Sequence, residues 1–173
     1  MAVMIPTKSN RFAKGSLEDI MFASLERLPD DYYVFHSMRI TTVKSDMIME
    51  NEIDFVVFNR FLGIMCIECK AGNVRYENGM WLYGNGIRMN NGGPYNQADA
   101  NKWKLMDMIA GSHLGKLIER IRFFHAVWFP SVTKSDLLKM PLPPEGDPEL
   151  ALCMDDLENP LPSMERIFGL RVN

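Results

Sequence analysis

Apolar residues near the start of the chain recur at spacings of three and four, a pattern that predicts a helix with one buried face. This helix begins near Lys14, with Ser16 as its N-cap, and its inner positions are Leu17, Ile20, Met21, Ser24, Leu25 and Leu28. Glu18 lies on the border of the apolar stripe, about 100° around the helix from Leu17. It is therefore expected to reach over a neighbouring sheet.

Runs of aromatic and β-branched residues follow, and these are typical of strands. The predicted strands cover 32–40, 52–58, 63–70 and 123–129, and Asn78-Gly79 predicts a hairpin within 74–83. A second helix is expected from Asn96, as N-cap, to about Ala110, with a short helical piece over 114–120. Loops over 84–94 and 141–148, a strand over 150–154 and a last helix capped by Ser163 complete the prediction. This order of elements indicates an α/β or α+β sandwich.

Composition and charge narrow the function classes. The 173 residues include 19 Lys plus Arg against 22 Asp plus Glu, so the net charge is −3, which argues against a protein that coats nucleic acid by bulk positive charge. No apolar run approaches the roughly 20 residues of a membrane helix, and the amino terminus lacks an apolar signal core. Three cysteines are typical of reduced thiols, so we expect a cytoplasmic protein without membrane association.

Two acidic residues in otherwise apolar strands carry the most chemical information. If strands 52–58 and 63–70 form a hairpin with Phe58 opposite Ile64, Asp54 lies opposite Glu68. The two carboxylates would then stand ~5 Å apart and repel each other, and partial burial would add to the cost. A divalent cation removes this repulsion, and oxygen ligands of this kind suit Mg²⁺ or Mn²⁺.

The neighbours of Glu68 extend this hypothesis. The backbone carbonyl of Cys69 could add another oxygen ligand, and the ammonium of Lys70 is expected to point to the same side of the strand as Glu68. Metal, carboxylates and a cation together suit phosphodiester hydrolysis. The alternative is structural, because a Glu-x-Lys triplet also occurs by chance on a solvated strand face.

In five places the sequence resembles the nuclease-related domain (NERD) family of the PD-(D/E)XK nuclease superfamily. The matching segments, in order over roughly residues 14–130, are Gly15–Glu18, Glu52–Asp54, Gly63 with Glu68–Gly72, Trp81, and Gly93–Ala98. Gly93 replaces the Asn of the family pattern, at a loop position that we expect to matter little. Cys69 is the central residue of the Glu-x-Lys motif, where any small or apolar residue would serve.

The resemblance implies an α/β, restriction-endonuclease-like fold, in which a mixed central sheet is flanked by helices. It implies a Mg²⁺- or Mn²⁺-dependent nuclease that hydrolyses DNA, with metal bound by Asp54, Glu68 and the Cys69 carbonyl. Lys70 would be the catalytic cation that assists water activation or stabilises transition-state charge, Gln97 the glutamine beside the site, and Glu18 an accessory acid that reaches the metal through water.

The resemblance also bears on organisation and partners. Residues 1–13 are expected to be an N-terminal extension, followed by one domain over 14–173 with a core at 14–130 and a C-terminal extension at 131–173. The chain is either a stand-alone form or a fragment of a larger protein, with a helicase-like module as a possible partner. A non-catalytic nucleic-acid-binding module and a protein-interaction module remain the alternatives. Oligomeric state, strand preference and DNA versus RNA stay open.

Other residue types give weaker signals. Cys66 and Cys69 face opposite sides of a strand, so they are expected to be free thiols and not a zinc site. His36, His113 and His125 are expected to be structural, while Trp81 and Tyr83 either pack the hairpin or stack on bases. The candidate phosphate-binding residues are Lys8, Arg11, Lys14, Arg75, Arg88, Lys102 and Lys104, among which Arg75, Arg88 and Lys102 are preferred.

Overall fold

The fold is a mixed sheet with helices on both faces. A computed structural model describes residues 1–9 and 12–171, and Arg11 lies outside these described residues. Its strands are β1 (Val3–Ile5), β2 (Tyr32–Lys44), β3 (Met47–Asn59), β4 (Gly63–Cys69), β5 (Arg75–Glu77), β6 (Met80–Leu82), β7 (Phe123–Phe129) and β8 (Ala151–Cys153). Its α-helices are α1 (Glu18–Glu26), α2 (Pro94–Ala110), α3 (Lys134–Lys139) and α4 (Leu161–Phe168).

Six strands form the central sheet in the order β1-β2-β3-β4-β7-β8, while β5 and β6 form a separate hairpin. Strands β2, β3 and β4 are antiparallel, whereas β1 runs parallel to β2, and β4, β7 and β8 run parallel to one another. Phe58 pairs with Ile64, as predicted. The mixed α/β class is confirmed and is consistent with a restriction-endonuclease-like fold.

Apolar side chains fill both sides of this sheet. On one side α1 and α4 cover alternate sheet residues, among them Met65 and Trp128. On the other side, Leu105 of α2 packs in the same core cluster as Cys66 of β4. Trp81 of the hairpin packs against Phe129, with the ring centroids 5.8 Å apart. Burial on both sides explains why the central strands read as nearly continuous apolar runs.

Strands β2 and β3 are longer than predicted and form an arm over residues 41–50. Its tight turn is Ser45-Asp46, both with positive φ, at 50° and 64°. Most of the arm's side chains are exposed, including Val43 and Ile48 at about 70%. The predicted strand 32–40 ended too early and the predicted strand 52–58 began too late, because no buried face produces an alternation here.

Three predicted helix starts are wrong. Helix α1 begins at Glu18 with Leu17 as its N-cap, while the Ser16 hydroxyl donates to the Ala13 carbonyl at 2.8 Å and accepts a 3.3 Å hydrogen bond from the Glu18 N–H. Helix α2 begins at Pro94, two residues before the predicted Asn96 cap, and α4 has Pro160 as its N-cap. Proline lacks the N–H that a first helical turn leaves unbonded, so it is favoured there. Ser163 instead donates to Asp156, at 2.6 Å.

The other predicted elements are found with small changes. The hairpin turn at Asn78-Gly79 is confirmed by positive φ at both residues, 51° and 76°. Strand β7 matches its predicted range, β8 covers 151–153, and a 3₁₀ turn covers 115–120. Strand β1 and helix α3 were not predicted, although Thr133 caps α3 by accepting a hydrogen bond from the Asp136 N–H. Within the described residues no helix is long and apolar enough to cross a bilayer.

Candidate metal and catalytic site

A break in the β2–β3 ladder positions Asp54. Pairing is regular on both sides of Ser37 and Asp54, but these two residues form no ladder pair, and Ser37 has a φ of 55°. The Asp54 carboxylate instead accepts a 2.7 Å hydrogen bond from the Cys69 N–H at the end of β4. This hydrogen bond holds the Asp54 carboxylate of β3 against the end of β4, beside the Glu-x-Lys segment.

Glu68 is buried, with 7% of its surface exposed, and both of its carboxylate oxygens have partners. Lys70 donates to Oε1 at 2.5 Å, and Asn101 of α2 donates to Oε2 at 3.4 Å. The predicted side of β4 for Glu68 and Lys70 is therefore correct. Strand β4 and helix α2 together fix the orientation of the Glu68 carboxylate.

The electrostatics of the site follow from these contacts. Burial raises the pKa of Asp54 to about 7, the negative charge of Glu68 adds to this rise, and the Cys69 N–H and Lys70 only partly oppose it. Burial by itself would lower the pKa of Lys70, but the contact with Glu68, together with Tyr83 and Asp54, outweighs burial, and the net pKa lies above the usual value. Lys70 is therefore a cation at neutral pH, and Asp54 is poised between charged and neutral forms.

Glu18 approaches the same site from the start of α1, and its charge contributes to the raised pKa of Asp54. Its carboxylate lies 2.8 Å from Nε2 of His36, whose Nδ1 lies 2.8 Å from the Ser9 hydroxyl. The His36 ring is buried among Phe12, Phe22 and Phe55. Sequence analysis expected a structural His36, but no spacing rule links this histidine to Glu18, which lies 18 residues away.

A polar cavity of about 520 Å³ opens beside Glu68. One wall comes from the arm and the adjoining part of β3, and the other from α2 and the loop before it. The lining residues are Met49, Asn51, Glu52, Glu68, Asn91, Asn96, Gln97, Ala100, Asn101 and Lys104. Gln97 thus lies in the same cavity as Glu68, with its side-chain amide donating to the Asn90 carbonyl at 2.7 Å.

The candidate phosphate-binding residues are distributed differently. Lys104 lines the cavity and donates to the Asn51 side chain at 2.6 Å. Lys102 instead pairs with Asp99 at 2.7 Å and lines a second cavity together with His125. The structure therefore brings Lys104, and not the preferred Lys102, to Glu68.

The two preferred arginines lie on the hairpin side of the molecule. Arg75 on β5 is exposed and pairs with Glu77 at 2.9 Å, while Arg88 is exposed in the loop that follows the hairpin and bridges to Leu82. Neither arginine lines the cavity beside Glu68. Lys8 and Lys14 are exposed as well.

The cysteines and hairpin aromatic residues that the sequence analysis singled out mostly pack within the fold. Cys66 packs on the α2 side of β4 and Cys69 on the opposite side, as the strand alternation predicted. Burial raises the pKa of the Cys66 thiol to about 12, and the pKa of Cys69 lies well above its usual value for the same reason. Trp81 is buried, so it packs the hairpin, whereas Tyr83 is partly exposed and adds to the rise in the pKa of Lys70.

The donor set fits a magnesium-type ion. Among the residues that the structure describes, no three or more His, Cys, Asp or Glu side chains form a cluster suited to a metal. Mg²⁺, however, commonly uses one or two protein carboxylates and keeps several waters. Asp54 and Glu68 would supply two hard oxygen ligands, and the Asp54 bond to the Cys69 N–H brings the Cys69 backbone close to the Asp54 carboxylate.

One comparison with known proteins gives a match. A family model described as the nuclease-related domain, NERD, matches residues 14–130. The chain belongs to this family. The NERD match runs from just before α1 to the residue after β7, so it contains Glu18, Asp54, Glu68, Lys70 and Gln97, while β8 and α4 lie beyond it. Neither the curated proteins nor the solved structures give a match.

Proposed function

We propose that this NERD protein is a metal-dependent nuclease that hydrolyses DNA phosphodiester bonds. Membership of the family supports a nuclease-related function. The observation that carries the proposal is the convergence of Asp54 and Glu68, with the Lys70 ammonium 2.5 Å from the Glu68 carboxylate. This combination of two acids and one cation suits phosphoryl chemistry.

Each residue has a distinct role in this proposal. Asp54, Glu68 and the Cys69 carbonyl would hold Mg²⁺ or Mn²⁺, and a bound ion of this kind polarises a phosphate oxygen and lowers the pKa of water. Glu18 would hold an ordered water at the edge of the site, since His36 fixes its carboxylate at 2.8 Å. Lys70 would leave Glu68 for the phosphate oxygen on which negative charge develops.

Substrate contacts outside these residues belong to the same proposal. Gln97 lines the cavity beside Glu68, where its amide would orient the substrate. Arg75 and Arg88 are exposed and would contact the phosphate backbone on the hairpin side, and Lys102 would do so only if it left Asp99. A helicase-type module, in the same protein or in a partner, would deliver the DNA.

Cleavage of labelled DNA in Mn²⁺ and Mg²⁺ tests the proposal. Asp54→Asn and Lys70→Ala are each expected to lower the rate by at least about 100-fold, because each removes an electrostatic contact to the reacting phosphate or its metal. Asp30→Asn and Lys116→Ala are matched controls at exposed positions and should cleave like the parent. Equal cleavage by Asp54→Asn and the parent would show that the proposal is wrong.

One observation favours a second function, a module that binds nucleic acid without cutting it. Both Glu68 oxygens already have protein partners, Lys70 and Asn101, so the site is also stable as a purely structural network. Binding of DNA without metal-stimulated cleavage would select this function. The absence of both binding and cleavage would favour a protein-interaction module.

A further inference from the structure

The polar cavity beside Glu68 has the size and lining of a site for a small polar ligand. Its volume of about 520 Å³ lies within the roughly 300–1,000 Å³ of typical ligand pockets. Five of its ten lining residues carry side-chain amides: Asn51, Asn91, Asn96, Gln97 and Asn101. Each amide offers both hydrogen-bond donors and acceptors, which is the chemistry that reads the edge of a nucleobase.

An unpartnered atom in the lining points to a ligand. The side-chain nitrogen of Asn51 is buried, and it has no hydrogen-bond acceptor among the described residues. Its oxygen accepts from Lys104 at 2.6 Å, which fixes the orientation of the amide. A buried donor without an acceptor costs about 1–3 kcal/mol, and a ligand acceptor at this position would remove that cost.

The cavity also offers an apolar surface and a charge. Met49 is 45% exposed where the arm meets the cavity, and its thioether suits the face of an aromatic ring. Lys104 is the cation of the α2 wall and would pair with an anionic group, while the carboxylates of Glu52 and Glu68 also line the cavity. Amides, a thioether and one cation match the three parts of a nucleotide: base edge, base face and phosphate.

We propose that this cavity binds one unpaired nucleotide next to the scissile phosphate, so the substrate is single-stranded or locally unpaired nucleic acid. The inference rests on the proposed function, since it places the substrate across Glu68. A base enters such a cavity only when its pairing edge is free, because in a duplex that edge is bonded to the opposite strand. The protein therefore prefers single strands, loops and ends to blunt duplex.

Fluorescence anisotropy in EDTA tests binding separately from cleavage. The probes are a short labelled single strand and the same strand in a blunt duplex, and the parent should bind the single strand at least about tenfold more tightly. Ala100→Trp fills the cavity from the exposed surface of α2 and should weaken single-strand binding at least about tenfold. Ala23→Trp, an exposed helical alanine on α1, is the matched control and should bind like the parent.

A second variant tests the cavity with little change in side-chain size, so the test does not depend on whether Ala100→Trp folds. Asn51→Asp keeps the side-chain shape and the acceptor for Lys104 but replaces the unpartnered donor with a negative oxygen, so it should also weaken binding. Asn159→Asp, an exposed position in the C-terminal part, controls for the added charge. Unchanged binding by both cavity variants, equal affinity for the two probes, or no binding by the parent would overturn the inference. A parent that binds as expected but cuts nothing would contradict the nuclease proposal and leave this one standing.

Discussion

Asp54 is a carboxylate that the fold holds at an energetic cost. Burial and the nearby Glu68 raise its pKa to about 7, whereas an unfolded chain would give its ordinary value of 3.8. The folded protein therefore pays a penalty whenever both acids are charged, and a divalent cation bound by them would offset it. A residue that is costly for stability and suited to metal binding is the pattern expected of a functional site.

This cost gives a pH-dependent prediction. The raised pKa means that the folded state binds the Asp54 proton more tightly than the unfolded state, so its contribution to stability is fully present below about pH 4 and is lost as the pH rises through about 7. In EDTA, Asp54→Asn should therefore be more stable than the parent at pH 8, by up to about 4 kcal/mol. This advantage should shrink steadily towards pH 4.

Urea unfolding between pH 4 and 8 measures this difference, with the exposed Asp30→Asn as the control. Asparagine keeps an oxygen that accepts from the Cys69 N–H, so the comparison isolates the charge. A stability difference between Asp54→Asn and the parent that stays the same at every pH would contradict the assigned electrostatics.

Some site residues are predictable from strand geometry alone, and others are not. The register that places Asp54 opposite Glu68 follows from the alternation of side chains and a short loop, and the observed pairing of Phe58 with Ile64 agrees. The bond between Glu18 and His36 joins a helix to a strand across the core, so no local pattern reports it. Lys102 and Lys104 differ by about 200° around a helix, and only the packed rotation of α2 decides which one lines the cavity.

At the scale of elements, the turn before α2 holds the hairpin against the sheet. Gly93 is the N-cap of α2 with a φ of 96°, and a Cβ at this position would lie 2.1 Å from Cδ1 of Trp81. Trp81 in turn packs on Phe129 of β7 and on Tyr95. The expectation that Gly93 matters little was therefore wrong, because its missing side chain permits the contact between helix, hairpin and sheet.

Two glycine substitutions separate backbone strain from this contact. Gly79→Ala lies at a φ of 76° with no atom within 4 Å of its new Cβ, so it should cost only about 1–2 kcal/mol. Gly93→Ala adds the clash with a buried ring to the same strain, so its cost should exceed that of Gly79→Ala by at least about 1–3 kcal/mol. Chemical denaturation measures both values, and equal costs would contradict the packing role of Gly93.

Element types were more predictable than element ends. The turn at Asn78-Gly79 was readable because positive φ at two successive residues demands such a pair. The starts of α1, α2 and α4 were not predictable, because a side-chain cap is only one way to satisfy the unbonded N–H groups of the first helical turn. The arm over 41–50 escaped prediction for a different reason, since pairing without burial leaves no hydrophobic pattern.

At the scale of the whole molecule, the net charge of −3 gives nucleic acid no general attraction. The negative charge is partly local, because the charges of Glu68 and Glu18 both raise the pKa of Asp54 at the site. A bound divalent cation would reverse the local sign there and attract phosphate. Outside residues 14–130, β1 and β8 form the two edges of the central sheet, and α4 contributes to the core on one of its sides.

Calorimetric titration of the metal-free protein with Mn²⁺ tests the central claim most directly. We expect the parent to bind a single ion at the site, and Asp54→Asn to bind it at least about tenfold more weakly, while Asp30→Asn binds like the parent. Bound metal should also raise the melting temperature of the parent, because the ion binds the folded state. No binding by the parent, or equal binding by the parent and Asp54→Asn, would contradict a metal site built on Asp54 and Glu68.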